Sequence, residues 1–134
     1  MLKILLCCGG GFSSSYIMTR VQKQIEEEHM EDEVSIDFSP FKTMDEVYKG
    51  KDIIVCCPHL EMEIKLKKDL GKIDVPMYLL PPKMYGNLSI KDLLQDCHDI
   101  IDLWNENPVN PVHFPGEDKV MKIHRPGAYA FYKK

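Results

Sequence analysis

Leu2-Lys3-Ile4-Leu5-Leu6-Cys7-Cys8-Gly9-Gly10-Gly11-Phe12-Ser13-Ser14-Ser15 is the stretch from which the fold of this 134-residue chain is read. Leu2 to Cys7 is an apolar run of strand length, and between Tyr16 and Glu28 the apolar residues Ile17, Met18, Val21 and Ile25 recur at helical spacing. The unit is strand, glycine-rich turn, helix. Three consecutive glycines open backbone angles closed to other residues and leave N–H groups uncovered. Ser13, Ser14 and Ser15 stand at the helix start, where hydroxyls cap free N–H groups and the helix dipole favours negative charge. The reading is an anion cradle with the Cys8 thiol at its lip.

Working outward, Val34-Ser35-Ile36-Asp37-Phe38 alternates apolar and polar residues as a half-buried strand does, and Pro40 ends it. Thr43 is placed to cap a short helix through Met44, Val47 and Tyr48, with Glu46 completing a capping box. Asp52-Ile53-Ile54-Val55-Cys56-Cys57, closed by Pro58, reads as a strand covered on both faces. Leu60 to Leu70 reads as a helix stopped by Gly71. Val75-Pro76-Met77-Tyr78-Leu79-Leu80 is a fourth strand, with Pro76 near its start as at a sheet edge. Ser89 opens a last helix whose stripe is Ile90, Leu93, Leu94, Cys97, Ile100, Ile101 and Trp104.

Alternation of strand and helix predicts an α/β fold: a single-domain four-stranded parallel sheet, doubly wound, with helices on both faces and right-handed crossovers. Ligands bind such sheets beyond the carboxyl ends of the strands. The turns able to reach Cys8 are therefore Phe38-Ser39-Pro40, Pro58-His59 and Pro81 to Asn87. The domain is expected to span residues 1–106. Beyond it, Pro108, Pro111, Pro115 and Pro126 exclude a long helix from a Pro-rich C-terminal extension, residues 107–134, that either wraps the domain or is partly mobile.

A net charge of -4 gives no electrostatic case for nucleic acid or an anionic membrane. Apolar runs fall far short of the ~20 residues of a membrane span. The Met1-Leu2-Lys3 start leads into no signal-peptide core, so a cytoplasmic chain is expected. Glu26-Glu27-Glu28 and Glu31-Asp32-Glu33 read as solvated surface. The five cysteines form two adjacent pairs and a single Cys97, neither a disulfide framework nor a C-x-x-C redox motif, and reduced thiols are expected. No Cys and His spacing resembles a zinc site, and neither metal nor cofactor is expected.

A thiol at a helix N-terminus among backbone N–H groups has a lowered pKa and reacts as thiolate. Cys8 holds that place, while Cys7, Cys56 and Cys57 read as small buried hydrophobes. Phosphatases of the low-molecular-weight tyrosine type and related arsenate reductases carry C-x5-R, whose Arg clamps the phosphate. Here the sixth residue after Cys8 is Ser14, and after Cys7 it is Ser13. The clamp is missing.

The stretch resembles the IIB component of the bacterial sugar phosphotransferase system, lactose/cellobiose family, in which a short strand leads through C-x-x-G-x-S-[ST]-S into a helix. Cys8, Gly11, Ser13, Ser14 and Ser15 match all five defining positions. The likeness extends to Pro58, to His59 where the family often has Gln, and to Tyr85-Gly86 after the fourth strand, and covers roughly residues 1–105. It implies the low-molecular-weight-phosphatase-like topology. It further implies that Cys8 accepts a phosphoryl group from a phosphohistidine on a IIA protein and delivers it to a sugar crossing a membrane IIC transporter, at whose cytoplasmic face the chain would transiently sit. Gly9, Gly10, Gly11, Phe12, Ser13, Ser14 and Ser15 would bind the phosphate, with Pro58, His59 and Tyr85 on the rim. His59 either pairs with the phosphoryl group or is an exposed loop histidine. Sugar choice would belong to IIC. Two rival readings stand beside this one: a non-catalytic regulatory or binding module of the same fold, and a cysteine-dependent phosphatase or arsenate reductase.

Overall fold

The computed structural model describes residues 1–8, 12–86, 88–117, 123, 125 and 127–131, with the backbone alone at residues 8 and 12–16. The apolar opening run becomes β1 (Leu2–Cys8), which pairs in parallel with β2 (Val34–Pro40) on one side and β3 (Ile53–Cys56) on the other. β4 (Met77–Leu79) completes a four-stranded parallel sheet in the order β2-β1-β3-β4. The strand order reverses at β1. From it the chain goes first to β2 on one side and then back across to β3, which makes the carboxyl ends of β1 and β3 the switch point of the sheet.

The two-residue period of each strand sorts its side chains onto two faces. Ile4 and Leu6 of β1, Ile53 and Val55 of β3 and Tyr78 of β4 face one layer, built from α1 (Phe12–Glu27) and α5 (Ile90–Glu106). Ile17, Val21 and Ile25 from α1 and Ile90, Leu93, Cys97 and Ile100 from α5 fill that layer. Leu5, Cys7, Ile54, Cys56 and Met77 face the other layer, where α2 (Met44–Val47) and α3 (Glu61–Leu66) supply Met44 and Ile64, joined by Tyr48 and Leu60. Gln24 ties the first layer together: its Oε1 accepts from the Ile90 N–H at 2.7 Å and its Nε2 donates to the Leu88 carbonyl at 3.0 Å, serving a free donor at the start of α5.

Several elements are shorter than their sequence patterns suggest. α3 ends at Leu66, because Lys67 adopts an extended conformation with its ammonium held by Asp45 at 2.8 Å and Asp69 at 3.0 Å. Leu66 is consequently 71% exposed, and Gly71 sits in a separate 3-10 turn, Leu70–Lys72. Thr43 forms no capping box. Its hydroxyl bonds instead to Ser39 Oγ at 2.9 Å, and Phe41–Thr43 is a 3-10 turn leading into α2. α4 (Pro82–Gly86) is a short helix where the sequence suggested only a turn, with proline at its first position.

The described residues beyond α5 pack against the sheet edge. β4 is an edge strand with unpaired backbone groups. Asn110 imitates a neighbouring strand with its amide: Oδ1 accepts from the Met77 N–H at 2.8 Å and Nδ2 donates to the Val75 carbonyl at 2.9 Å. The Val112 N–H then donates to the Met77 carbonyl at 2.8 Å, and Val112 makes a parallel bridge to Tyr78. Phe114 is buried and stacks on Tyr129, centroids 4.2 Å apart. Arg125, its side chain 6% exposed, reaches into the core. Nη1 lies 2.9 Å from Asp96, Nη2 donates to Tyr78 Oη at 2.8 Å, and Nε donates to Glu117 at 2.8 Å.

Candidate active site at the carboxyl edge of the sheet

Cys8 is the last residue of β1, on the central strand and at the switch point. Its backbone pairs with Pro40 across β2, and the chain re-enters regular structure at Phe12, the first residue of α1. α1 runs sixteen residues and has no acidic residue in its first turn, so the partial positive charge at its amino end is not offset locally. Of the predicted phosphate-binding residues, Gly9, Gly10 and Gly11 lie outside the described residues. Phe12, Ser13, Ser14 and Ser15 form the opening turn of α1, and their side chains lie outside the described residues, as does that of Cys8.

The other turns expected near Cys8 end on the same edge. Ser39 and Pro40 close β2, and Pro58, separated from the end of β3 by Cys57 alone, is buried at the start of a 3-10 turn over Pro58–Leu60. His59 in that turn is exposed, and its ring meets that of Tyr85 in α4 edge to face, centroids 5.8 Å apart. The turns after β3 and β4 are thus joined at their tips by two residues predicted for the rim. This aromatic contact could not be read from spacing, because the two residues lie on different βα connections.

The cysteines whose side chains are described are all fully buried. Cys7 and Cys56 are register partners, both fully buried and free. Burial pushes the Cys7 thiol up to about 12 and raises that of Cys56 well above its ordinary value, with the neighbouring Cys7 adding to the latter. Cys97, buried in the opposite layer, is raised by burial too, with a smaller contribution from Asp96. These three fit the role of small hydrophobes. Cys57 departs from the expectation of a reduced thiol: it is fully buried and disulfide-bonded. The register could have drawn attention to it. The Cys57 N–H donates to the Cys7 carbonyl at 3.0 Å, the bond that closes the last β1–β3 pair and keeps Cys57 against the end of β1.

The chain has two arginines, and neither stands where a C-x5-R clamp would. Arg125 is committed to Asp96, Glu117 and Tyr78, and Arg20 lies two turns along α1. Among the described residues no cluster of His, Cys, Asp and Glu could hold a metal ion, and no helix is long and apolar enough to cross a membrane.

Comparison with known proteins agrees with this geometry. The family described as the lactose/cellobiose-specific IIB subunit of the phosphotransferase system matches residues 3–96. No curated protein matches the sequence significantly. Among solved structures, the chain is similar to the lactose-specific IIB component domain of the phosphoenolpyruvate:carbohydrate phosphotransferase system from Streptococcus pneumoniae. The TM-score is 0.55 at 16% identity, covering 70% of this chain and 95% of that one. At that identity the likeness speaks for the fold.

Proposed function

The chain belongs to the lactose/cellobiose-specific IIB family of the sugar phosphotransferase system, and we propose that within that system it is a phosphoryl carrier whose acceptor is Cys8. In this reading the Cys8 thiolate attacks the phosphorus of a phosphohistidine on a IIA protein, and the histidine leaves. The phosphocysteine then passes its phosphoryl group to a hydroxyl of a sugar delivered by the membrane IIC transporter. The activity class is phosphotransferase, with no cofactor and no nucleic acid involved, and the site of action is the cytoplasmic side of the membrane.

The observation that carries the reading is the position of Cys8, the last residue of the central strand at the switch point, followed at Phe12 by a long helix with no acidic first turn. An anion held there meets N–H donors and the positive end of the helix dipole, as phosphate groups do at strand-to-helix turns. A relay must also keep its phosphoryl group from water. A hydrolase gains from an arginine that stabilises the transferring group, and such a residue is worth orders of magnitude in rate. The arginines of this chain lie elsewhere, which favours a carrier over a phosphatase or arsenate reductase. Gly9 to Ser15 would form the cradle, and Pro58, His59 and Tyr85 its rim.

Intact-mass spectrometry tests this after incubation with phosphoenolpyruvate, the two general phosphotransferase proteins and a matching IIA. The expected result is a gain of one phosphoryl group in the wild type and none in Cys8→Ser. Failure of the wild type with several IIA donors would instead support a regulatory module of the same fold, and steady turnover of an aryl phosphate would support the phosphatase.

A further inference from the structure

We propose that Cys8 and Cys57 form a reversible disulfide, so that the same thiol that accepts phosphate also senses oxidants. The functional half of this inference rests on Cys8 being the phosphoryl acceptor, while the bond itself is argued from the sheet. Cys7 and Cys56 are register partners on adjacent parallel strands and the last pair of that ladder, and the Cys57 N–H, donating to the Cys7 carbonyl at 3.0 Å, holds Cys57 against the end of β1. Cys8 and Cys57 are the next residues on each strand. Neighbouring strands lie about 4.8 Å apart, inside the roughly 4.4–6.8 Å Cα separation that a disulfide spans. Cys57 is disulfide-bonded, while Cys7, Cys56 and Cys97 are free, buried thiols. The chain's fifth cysteine is Cys8.

The chemistry balances with a hydroperoxide as oxidant. The Cys8 thiolate attacks the distal oxygen of hydrogen peroxide and breaks the O–O bond, giving a sulfenic acid and hydroxide, which takes a proton to become water. The Cys57 sulfur then attacks the Cys8 sulfur and expels the hydroxyl group, which leaves as a second water with the Cys57 proton. Two thiols and one peroxide become one disulfide and two waters. Cys57 is fully buried beside the buried Pro58, so it is suited to resolve a sulfenic acid formed on its neighbour rather than to meet peroxide itself. While the bond holds, Cys8 has no thiolate to attack phosphorus. Dithiol reductants restore it.

The test uses the full chain, fully reduced and then treated with about one equivalent of hydrogen peroxide, with no phosphoryl donor present. Loss of two hydrogens in the intact mass and a linked pair of tryptic peptides, residues 4–20 with residues 52–65, are expected. Each peptide holds two cysteines, so tandem fragmentation must place the bond at Cys8 and Cys57. Both Cys57→Ser and Cys57→Ala are expected to leave Cys8 to gain oxygen atoms instead, and two substitutions guard against misfolding of either one. In a second arm with excess peroxide, uptake of phosphate from IIA is expected to fall at least tenfold on oxidation and to return with dithiothreitol, with both Cys57 variants losing this recovery because their unprotected Cys8 passes on to the sulfinic acid, which dithiothreitol does not reduce. A bond placed at Cys7 and Cys56, a bond between two chains, or no bond overturns the disulfide. A reduced chain that accepts no phosphate from any IIA while forming the Cys8–Cys57 bond overturns the relay reading alone.

Discussion

Burial sets the reactivity of the Cys7 thiol near the end of β1. Cys7 has no exposed surface, and its thiol is pushed from an ordinary value of 9.0 up to about 12, so at pH 8 its reactive thiolate is about a thousandfold scarcer than in an exposed cysteine. The sign follows from desolvation, which disfavours the charged form and so raises an acid's pKa. Iodoacetamide added to the fully reduced native protein at pH 8 should therefore modify Cys8 first and leave Cys7, Cys56 and Cys97 untouched until the protein is unfolded. Peptide mapping reads the outcome, and early alkylation of Cys7 would show that the strand opens. His59 is the other residue whose role turns on its surroundings. Its exposed ring is already engaged by the edge-to-face contact with Tyr85 at 5.8 Å, a contact worth about 1 kcal/mol. His59→Gln should then change the rate of phosphoryl uptake by less than tenfold, about 1.4 kcal/mol on the barrier. A larger loss in stopped uptake assays, with an unchanged fold by circular dichroism, would place the imidazole on the phosphoryl group.

Among the elements, α5 depends most on contacts that no periodic pattern announces. Its apolar stripe packs on the sheet, but Asp96 is a fully buried carboxyl within the same helix. Burial raises its pKa, against the hydrogen bonds from Tyr78 and the Tyr129 N–H and the charge of Arg125. Arg125 is itself raised, chiefly by Glu117, against the opposing effect of burial, so the guanidinium stays charged. Removing one partner of such a pair leaves a charge without compensation. Arg125→Ala should cost about 3–5 kcal/mol, read as a lower urea midpoint at unchanged slope. The double variant Asp96→Asn, Arg125→Met should recover part of that loss, since a buried pair replaced by neutral groups of similar size is often close to neutral. An Arg125→Ala midpoint equal to the wild type would mean that the ion pair contributes nothing in solution.

At the scale of the whole molecule, the βα order was legible because each apolar run is strand-length or carries a helical period, and because Ile4, Leu5 and Leu6 must divide between two buried faces. Cys8 and the start of α1 were legible for the same reason, since a glycine run between a strand and a helix has one position in such a sheet. Illegible from sequence was whatever hangs on single long-range contacts. Asn110 pairs with Val75 and Met77, Arg125 with Tyr78 and Asp96, and neither leaves a periodic trace. The proline-rich segment looked uncommitted between wrapping and mobility because its contribution lies in these side chains. Removing residues 108–134 tests how far the fold relies on it. The deletion uncovers the β4 edge, takes away the buried Val112 and Phe114, and strips Arg125 from Asp96 and Tyr78. At ~1.5–3 kcal/mol for each fully buried apolar side chain, Val112 and Phe114 alone imply roughly 3–6 kcal/mol. Differential scanning calorimetry should show the melting temperature falling by about 10 °C or more, and size-exclusion chromatography should show association through the bared strand edge. A truncated chain that melts with the full one and stays monomeric would mean that this segment rests on the core without supporting it.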